Sequence, residues 1–265
     1  MGYKLGFIGC GNMGGALVTA AAKTIAGSEI AVCDYDPSKA ENFALKYGAN
    51  AVTSNEIAAK AQFIVLGVKP QVMRETIAEF AETLRARTDV TVVTMAAGVS
   101  IAAIRNYIGK DVPVIRIMPN TPVSLGAGMI LYATANVSKA TETAFLTAFA
   151  KAGVFDKIPE EKIDAGSALS GCGPAFVYAF AEALADGGVE CGVPRDKAAL
   201  YAAQTLLGAA QMLLEYGHPA DLKDAVCSPG GTTIAGIHAL EDAGFRGATM
   251  SAVTAAYKRT LELKK

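Results

Sequence analysis

Short apolar runs and amphipathic segments take turns along the first 160 residues. KLGFI at 4–8 is a compact apolar run, followed by a glycine cluster and an Ala/Leu/Val segment through Ile25, which predicts strand, tight turn and helix. EIAVC at 29–33 reads as a second strand. PSKAENFALKYG carries Pro37 at its start and Gly48 at its stop, the punctuation of a helix. FIVLGV at 63–68 predicts a buried strand and QVMRETIAEFAETLRAR one amphipathic helix. VTVVTM at 90–95 and VPVIRI at 112–117 predict further strands, with GMILYA and VFDKI as added edge strands near residue 155. Strands alternating with helices at this spacing predict an α/β fold with a Rossmann-type, doubly wound parallel sheet.

Beyond residue 160 the β-branched runs give way to long Ala/Leu-rich segments, so an all-helical domain over 161–265 is expected to follow a dinucleotide-binding domain over 1–160. Pro174 and Pro194 suit the first turn of a helix, and Asp221, Thr232 and Thr249 lie near other plausible starts. Segment 194–216 is apolar or small around nearly its whole circumference. Such a helix needs cover on every side, more than a domain of about 100 residues supplies by itself, so a second subunit is expected.

Composition narrows the function. The chain is 52% hydrophobic and 18% charged, with 24 Lys and Arg against 25 Asp and Glu. A net charge of -1 offers no basic field for nucleic acid, and the expected partners are a small molecule and another protein copy. Cysteines at 10, 33, 172, 191 and 227 form no C-x-x-C pair, which argues for reduced thiols in the cytoplasm and against a zinc site; no metal is expected. The uncharged run from Leu5 is broken by glycines and is no export signal, and Ala198–Leu214 is too short to span a bilayer, so no membrane segment is expected.

Gly9-Cys10-Gly11-Asn12-Met13-Gly14 is a G-x-G-x-x-G set between strand and helix. Its turn admits a pyrophosphate to the helix N-terminus, and Asp34, twenty residues after Gly14, falls where a carboxylate meets the adenosine ribose. Val68-Lys69-Pro70, Ala96-Ala97-Gly98 and Met118 through Pro122 follow later strands, either as a nicotinamide pocket or as ordinary loop punctuation. Ser228 through Thr233 (SPGGTT) is either a nest of N–H donors for a carboxylate or phosphate, or a plain helix cap on Thr232 or Thr233. His218 and His238 lack triad neighbours, and Cys172 reads as a small packing residue.

GFIGCGNMGGAL, LGVKP, RIMPNTP, SGCGPAFVYAFAEAL and SPGGTTIAGIHALE together resemble the pyrroline-5-carboxylate reductase family over essentially the whole chain. The resemblance implies reduction of 1-pyrroline-5-carboxylate to L-proline, the last step of proline biosynthesis. It also implies a helical domain that interlocks two subunits, a dimer or a larger ring of dimers, and an active site at the domain junction. It assigns Gly9, Gly11, Asn12, Met13 and Gly14 to the cofactor, Val68, Lys69, Pro70, Ala97 and Asn120 to its nicotinamide end, and Asn55 to the adenosine ribose. Ser228, Gly231, Thr232 and Thr233 fall to the substrate, with Thr233 the catalytic hydroxyl.

Two departures stand out. Cys172 replaces a serine usual in the family. Asp34-Tyr35-Asp36 places carboxylates where the 2′-phosphate of NADPH, the family's usual cofactor, would need cations, so NADH is expected to serve at least as well. A cyclic iminium is already electrophilic, so positioning, not a catalytic histidine, is the requirement. The rival readings are a β-hydroxyacid-type dehydrogenase, whose catalytic lysine is missing from Pro174–Gly187, and a dinucleotide sensor, which would not need the hydroxyl nest.

Overall fold

The computed structural model describes residues 2–263, grouped into two compact units, residues 2–171 with 256–263 and residues 172–255. The first contains β1 (Tyr3–Ile8), α1 (Asn12–Ala21), β2 (Ile30–Cys33), α2 (Pro37–Tyr47), β3 (Asn50–Ala51), α3 (Ser54–Lys60), β4 (Ala61–Leu66), α4 (Met73–Ala78) and α5 (Ala81–Ala86). It continues with β5 (Thr91–Thr94), α6 (Ile101–Ile108), β6 (Val114–Met118), β7 (Gly128–Ala135), α7 (Lys139–Ala148), β8 (Gly153–Lys157) and α8 (Ile163–Ser170). Helix α8, which lies past residue 160, groups with the sheet.

The eight strands run in the order β3-β2-β1-β4-β5-β6-β7-β8; the first six are parallel, and β7 and β8, parallel to each other, run against them. Ile8 pairs with Cys33 and Leu66, Leu66 with Thr94, and Thr94 with Arg116, so five strands end level along one rim. The order reverses between β1 and β4, and ligands of open α/β sheets bind at such a switch point. Strand residues alternate between two buried layers: Ile64, Leu66 and Val92 pack with Ile77, Phe80 and Ile104 on one face, Phe63, Val65 and Val93 with Leu17, Phe145 and Phe149 on the other. Burial on both faces is why the strands read as continuous apolar runs.

Four local differences separate the structure from the sequence reading. The expected single helix after Gln71 divides into α4 and α5 at Phe80, whose backbone (φ -130°, ψ 10°) leaves the helix while its ring stays buried. Strand β3 is two residues long, too short to carry a pattern. Thr249 lies inside a helix and donates its hydroxyl to the Phe245 carbonyl, and Pro194 sits one place earlier than expected, as the cap.

The second unit holds α9 (Gly173–Glu190), α10 (Arg195–Tyr216), α11 (Pro219–Val226), α12 (Thr232–Asp242) and the start of α13 (Phe245–Glu262). Its buried core comprises Ala185, Ala198 and Ala202, while Tyr201 and Leu207 on α10 are more than half exposed and Leu214 is 88% exposed. One copy therefore leaves α10 largely uncovered. By length and composition alone the stretch 160–190 is long and apolar enough to cross a membrane. It is two helices, α8 and α9, separated by a turn at Gly171–Cys172, and Asp164 in its first turn is tied to Arg116 of the sheet at 2.7 Å.

Candidate active site

At the switch point three glycines interlock. Gly9 turns with φ +98°, and a Cβ there would lie 2.7 Å from the Gly67 carbonyl carbon; a Cβ on Gly14 or Gly67 would run into the Gly9 carbonyl. This packing draws the start of α1 against the ends of β1 and β4. Gly11 differs, because a Cβ there meets nothing within 4 Å and would project into open space. It caps α1 without any side-chain hydrogen bond, and the helix's first internal bond runs from Gly15 N–H to the Gly11 carbonyl. The N–H groups of the first turn, at Asn12 and Met13, are left for an anion, with no acidic side chain in that turn to compete.

Asp34 follows β2 with its side chain 12% exposed. One carboxylate oxygen accepts the Cys10 N–H at 2.6 Å, the other accepts the Asp36 N–H at 3.0 Å, and the Lys39 ammonium stands 4.0 Å away. The carboxylate is thus pinned to the glycine turn. Asp36 is the N-cap of α2, accepting both the Ser38 N–H and hydroxyl, which hold its carboxyl below the usual range. Beside Asp34 opens a cleft of about 590 Å³, lined among others by Pro37, Glu41, Val52, Thr53 and Glu56. Asn55 does not line it and sits exposed on α3. Burial, and then the charge of Asp34, push the Cys10 thiol up to about 12, so it remains a neutral packing group.

Farther along the rim, Val68 is half-buried and Lys69, Pro70 and Ala97 are exposed after β4 and β5. Asn120, after β6, is only 8% exposed; its amide donates to the Ser170 carbonyl at 3.0 Å and accepts the Met129 N–H at 2.9 Å. Its side chain faces inward, whereas the resemblance placed it toward the nicotinamide. Gly67 and the Asp34–Cys10 bond went unseen in the sequence, although the glycine of LGVKP at a strand end was a usable signal.

In the helical unit, Ser228 through Gly231 turn between α11 and α12, with Gly231 N–H bonded to the Ser228 carbonyl at 3.0 Å and Gly230 at φ +68°. Helix α12 starts at Thr232 with Gly231 as N-cap and no side-chain cap. The helix-cap alternative is therefore absent: Thr232 and Thr233 are exposed, and their hydroxyls are committed to no internal bond among the described residues. The loop offers first-turn N–H donors and two hydroxyls together, a set that can hold a carboxylate and one further polar atom. His238 is solvent-exposed 3.3 Å from Asp242, and His218 precedes α11 at φ 41°.

Residues 160–263 match the family model for pyrroline-5-carboxylate reductase dimerisation, and residues 4–98 match that for NADP oxidoreductase, coenzyme F420-dependent. Pyrroline-5-carboxylate reductase of Pisum sativum is 39% identical over 98% of this chain and 96% of its own length, and that of Escherichia coli K12 is 39% identical over the whole of both chains. The solved Plasmodium falciparum pyrroline carboxylate reductase with NADP bound superposes with a TM-score of 0.89 at 31% identity, covering 99% of this chain and 98% of that one. The Coxiella burnetii pyrroline-5-carboxylate reductase gives 0.90 at 32%, covering all of both. A glycine cradle, an uncapped hydroxyl-bearing helix start and full-length similarity at this level agree, and the chain belongs to the pyrroline-5-carboxylate reductase family.

Proposed function

We propose that this chain reduces 1-pyrroline-5-carboxylate to L-proline with NADH or NADPH, the last step of proline biosynthesis. The observation that carries the reading is the start of α12, where Thr232 and Thr233 leave both their hydroxyls and the first-turn N–H groups uncommitted. A dinucleotide sensor would have no use for that set. A β-hydroxyacid-type dehydrogenase would need a lysine that α9 (GPAFVYAFAEALADGGVE) lacks.

The nicotinamide cofactor, when bound, supplies the hydride. The α1 N-terminus, with Gly9, Gly11, Asn12, Met13 and Gly14, takes the pyrophosphate, and Asp34 and Asn55 serve the adenosine ribose. Val68, Lys69, Pro70 and Ala97 line the nicotinamide end, and Asn120 belongs to the same rim. Ser228 and the N–H groups near Gly231, at the first turn that opens with Thr232, fix the substrate carboxylate, while the Thr233 hydroxyl meets the ring nitrogen and orients it. The protonated imine nitrogen keeps its proton as it becomes an amine, so the protein's task is to hold the ring carbon in reach of the hydride donor. No titrating histidine is asked for, consistent with the exposure of His218 and His238.

The dimerisation-domain match supports self-association. We read the assembly as a cytoplasmic homodimer in which α10 of each copy is covered by the other, because Leu200, Tyr201, Leu207, Met212 and Leu214 stand exposed along it. A ring of such dimers is the larger assembly the family resemblance allows. Steady-state oxidation of NADH or NADPH with synthetic pyrroline-5-carboxylate, set against β-hydroxyacids, tests the reading: turnover of the imine alone supports it, and turnover of a hydroxyacid or of neither contradicts it.

A further inference from the structure

Helix α8 is seated on the sheet at three points along its length. Asp164 near its start pairs with Arg116 of β6, both about 2% exposed. At its middle Gly166 has no room for a Cβ against Leu131 of β7. At its end the Ser170 carbonyl accepts the Asn120 amide at 3.0 Å. The Asn120 side chain grips a second partner too, the Met129 N–H at the start of β7. Its backbone carbonyl accepts the Val123 N–H, and the loop it opens is held from outside by Lys23, which bonds the Ser124 carbonyl at 2.9 Å. One buried amide thus joins the loop after β6, the start of β7 and the last turn of α8, immediately before the Gly171–Cys172 turn that leads into α9.

We propose that Asn120 is a positioning residue for the reduction: through its two hydrogen bonds it locks the nicotinamide-side loop to the start of β7 and to the end of α8. The proposal rests on the reductase reading above. Both ends of this amide have partners inside the sheet unit and little of the side chain reaches solvent, so the bonds it makes serve to hold the loop. Aspartate at this position keeps an acceptor for Met129 but sets a carboxylate against the Ser170 carbonyl. When protonated, the same side chain can donate again.

The experiment compares Asn120→Ala and Asn120→Asp with the unmutated chain by amide hydrogen exchange, by NADH and NADPH fluorescence titration without substrate, and by kcat and KM across pH. Exchange should quicken roughly tenfold or more at Met129 and in the last turn of α8, where Gly171 N–H bonds the Ser167 carbonyl, with β1 and α1 unchanged. Cofactor Kd should stay within about threefold while kcat falls roughly tenfold or more. The aspartate variant should regain rate as pH is lowered toward protonation of its new carboxyl, and the alanine variant, which has no group to protonate, should not. Unchanged protection of α8, an unchanged kcat in the alanine variant, or a Kd rising in step with the loss of kcat/KM would overturn the proposal, the last by making Asn120 a cofactor ligand. If the unmutated chain fails to turn over the imine, the reductase reading falls, and unchanged exchange in α8 still refutes the clamp separately.

Discussion

Replacing Asp34 should change which cofactor the enzyme prefers. Its carboxylate is anchored to the Cys10 N–H at 2.6 Å and to the Asp36 N–H at 3.0 Å, so it cannot swing away from the end of β2 without giving up both bonds. Glu41 and Glu56 line the same cleft, and Glu56 is engaged by Lys60 at 2.8 Å, which leaves Lys39, 4.0 Å from Asp34, as the cation beside it. Ribose hydroxyls can donate to this carboxylate; a 2′-phosphate is repelled by it. Two unit charges about 5 Å apart at an effective dielectric near 20 interact by about 3 kcal/mol, and screening over a Debye length of about 8 Å removes roughly half. The phosphate carries more than one charge while Lys39 returns part of the penalty, so about 1.5 to 3 kcal/mol remains, roughly ten- to a hundredfold in kcat/KM. NADH should therefore serve at least as well as NADPH, and Asp34→Ser should move the ratio toward NADPH by about that factor. The assay is kcat/KM for both cofactors at one ionic strength, repeated at higher salt, where the discrimination should shrink. A tenfold or greater preference for NADPH in the unmutated enzyme, or a serine variant with an unchanged ratio, would refute the reasoning.

Thr233→Ala should lower kcat/KM for the imine by about 10- to 1000-fold with cofactor Kd nearly intact, as steady-state kinetics beside fluorescence titration would reveal. Gly14→Ala should destabilise the protein by about 2 to 4 kcal/mol in chemical denaturation because its Cβ meets the Gly9 carbonyl, whereas Gly11→Ala should fold normally and lose cofactor affinity. Leu207→Glu on α10 should release monomers in sedimentation at micromolar concentration, and a folded, active monomer of the unmutated chain would contradict the dimer. The Tyr132 hydroxyl is pushed up to about 12 by burial and by its bond to Glu142. Its stabilisation is complete below about pH 10, the unfolded value, and is lost as pH rises toward 12, so Tyr132→Phe should flatten the alkaline fall of Tm.

Strands β1, β2, β4, β5 and β6 were legible because each is buried on two faces and reads as an unbroken apolar run. The fingerprint glycines were legible because the turn needs them at fixed spacing. Gly67 and the Asp34–Cys10 bond were not, since each depends on which strands become neighbours, and pairing of β1 with β4 and β2 is not written in local pattern. The Asn120 clamp reaches partners 9 and 50 residues away, beyond any periodicity, and its motif suggested an outward role instead. Thr232 and Thr233 were visible as a hydroxyl pair, but only the backbone at Gly231 separates an uncapped helix start from a capped one. The all-round apolar α10 announced missing cover, and one copy of the chain leaves it bare.

The central claim is hydride delivery to the carbon–nitrogen double bond of the imine, and isotope transfer tests it most directly. The enzyme is given pyrroline-5-carboxylate and NADH, then NADPH, each carrying deuterium at the nicotinamide carbon that yields the hydride, and the product is examined by mass spectrometry and proton resonance. The account predicts L-proline with one deuterium on the former imine carbon, the ring neighbour of nitrogen that does not bear the carboxylate, formed at the rate of cofactor oxidation. Cofactor oxidation without labelled proline, or label at any other carbon, would contradict it.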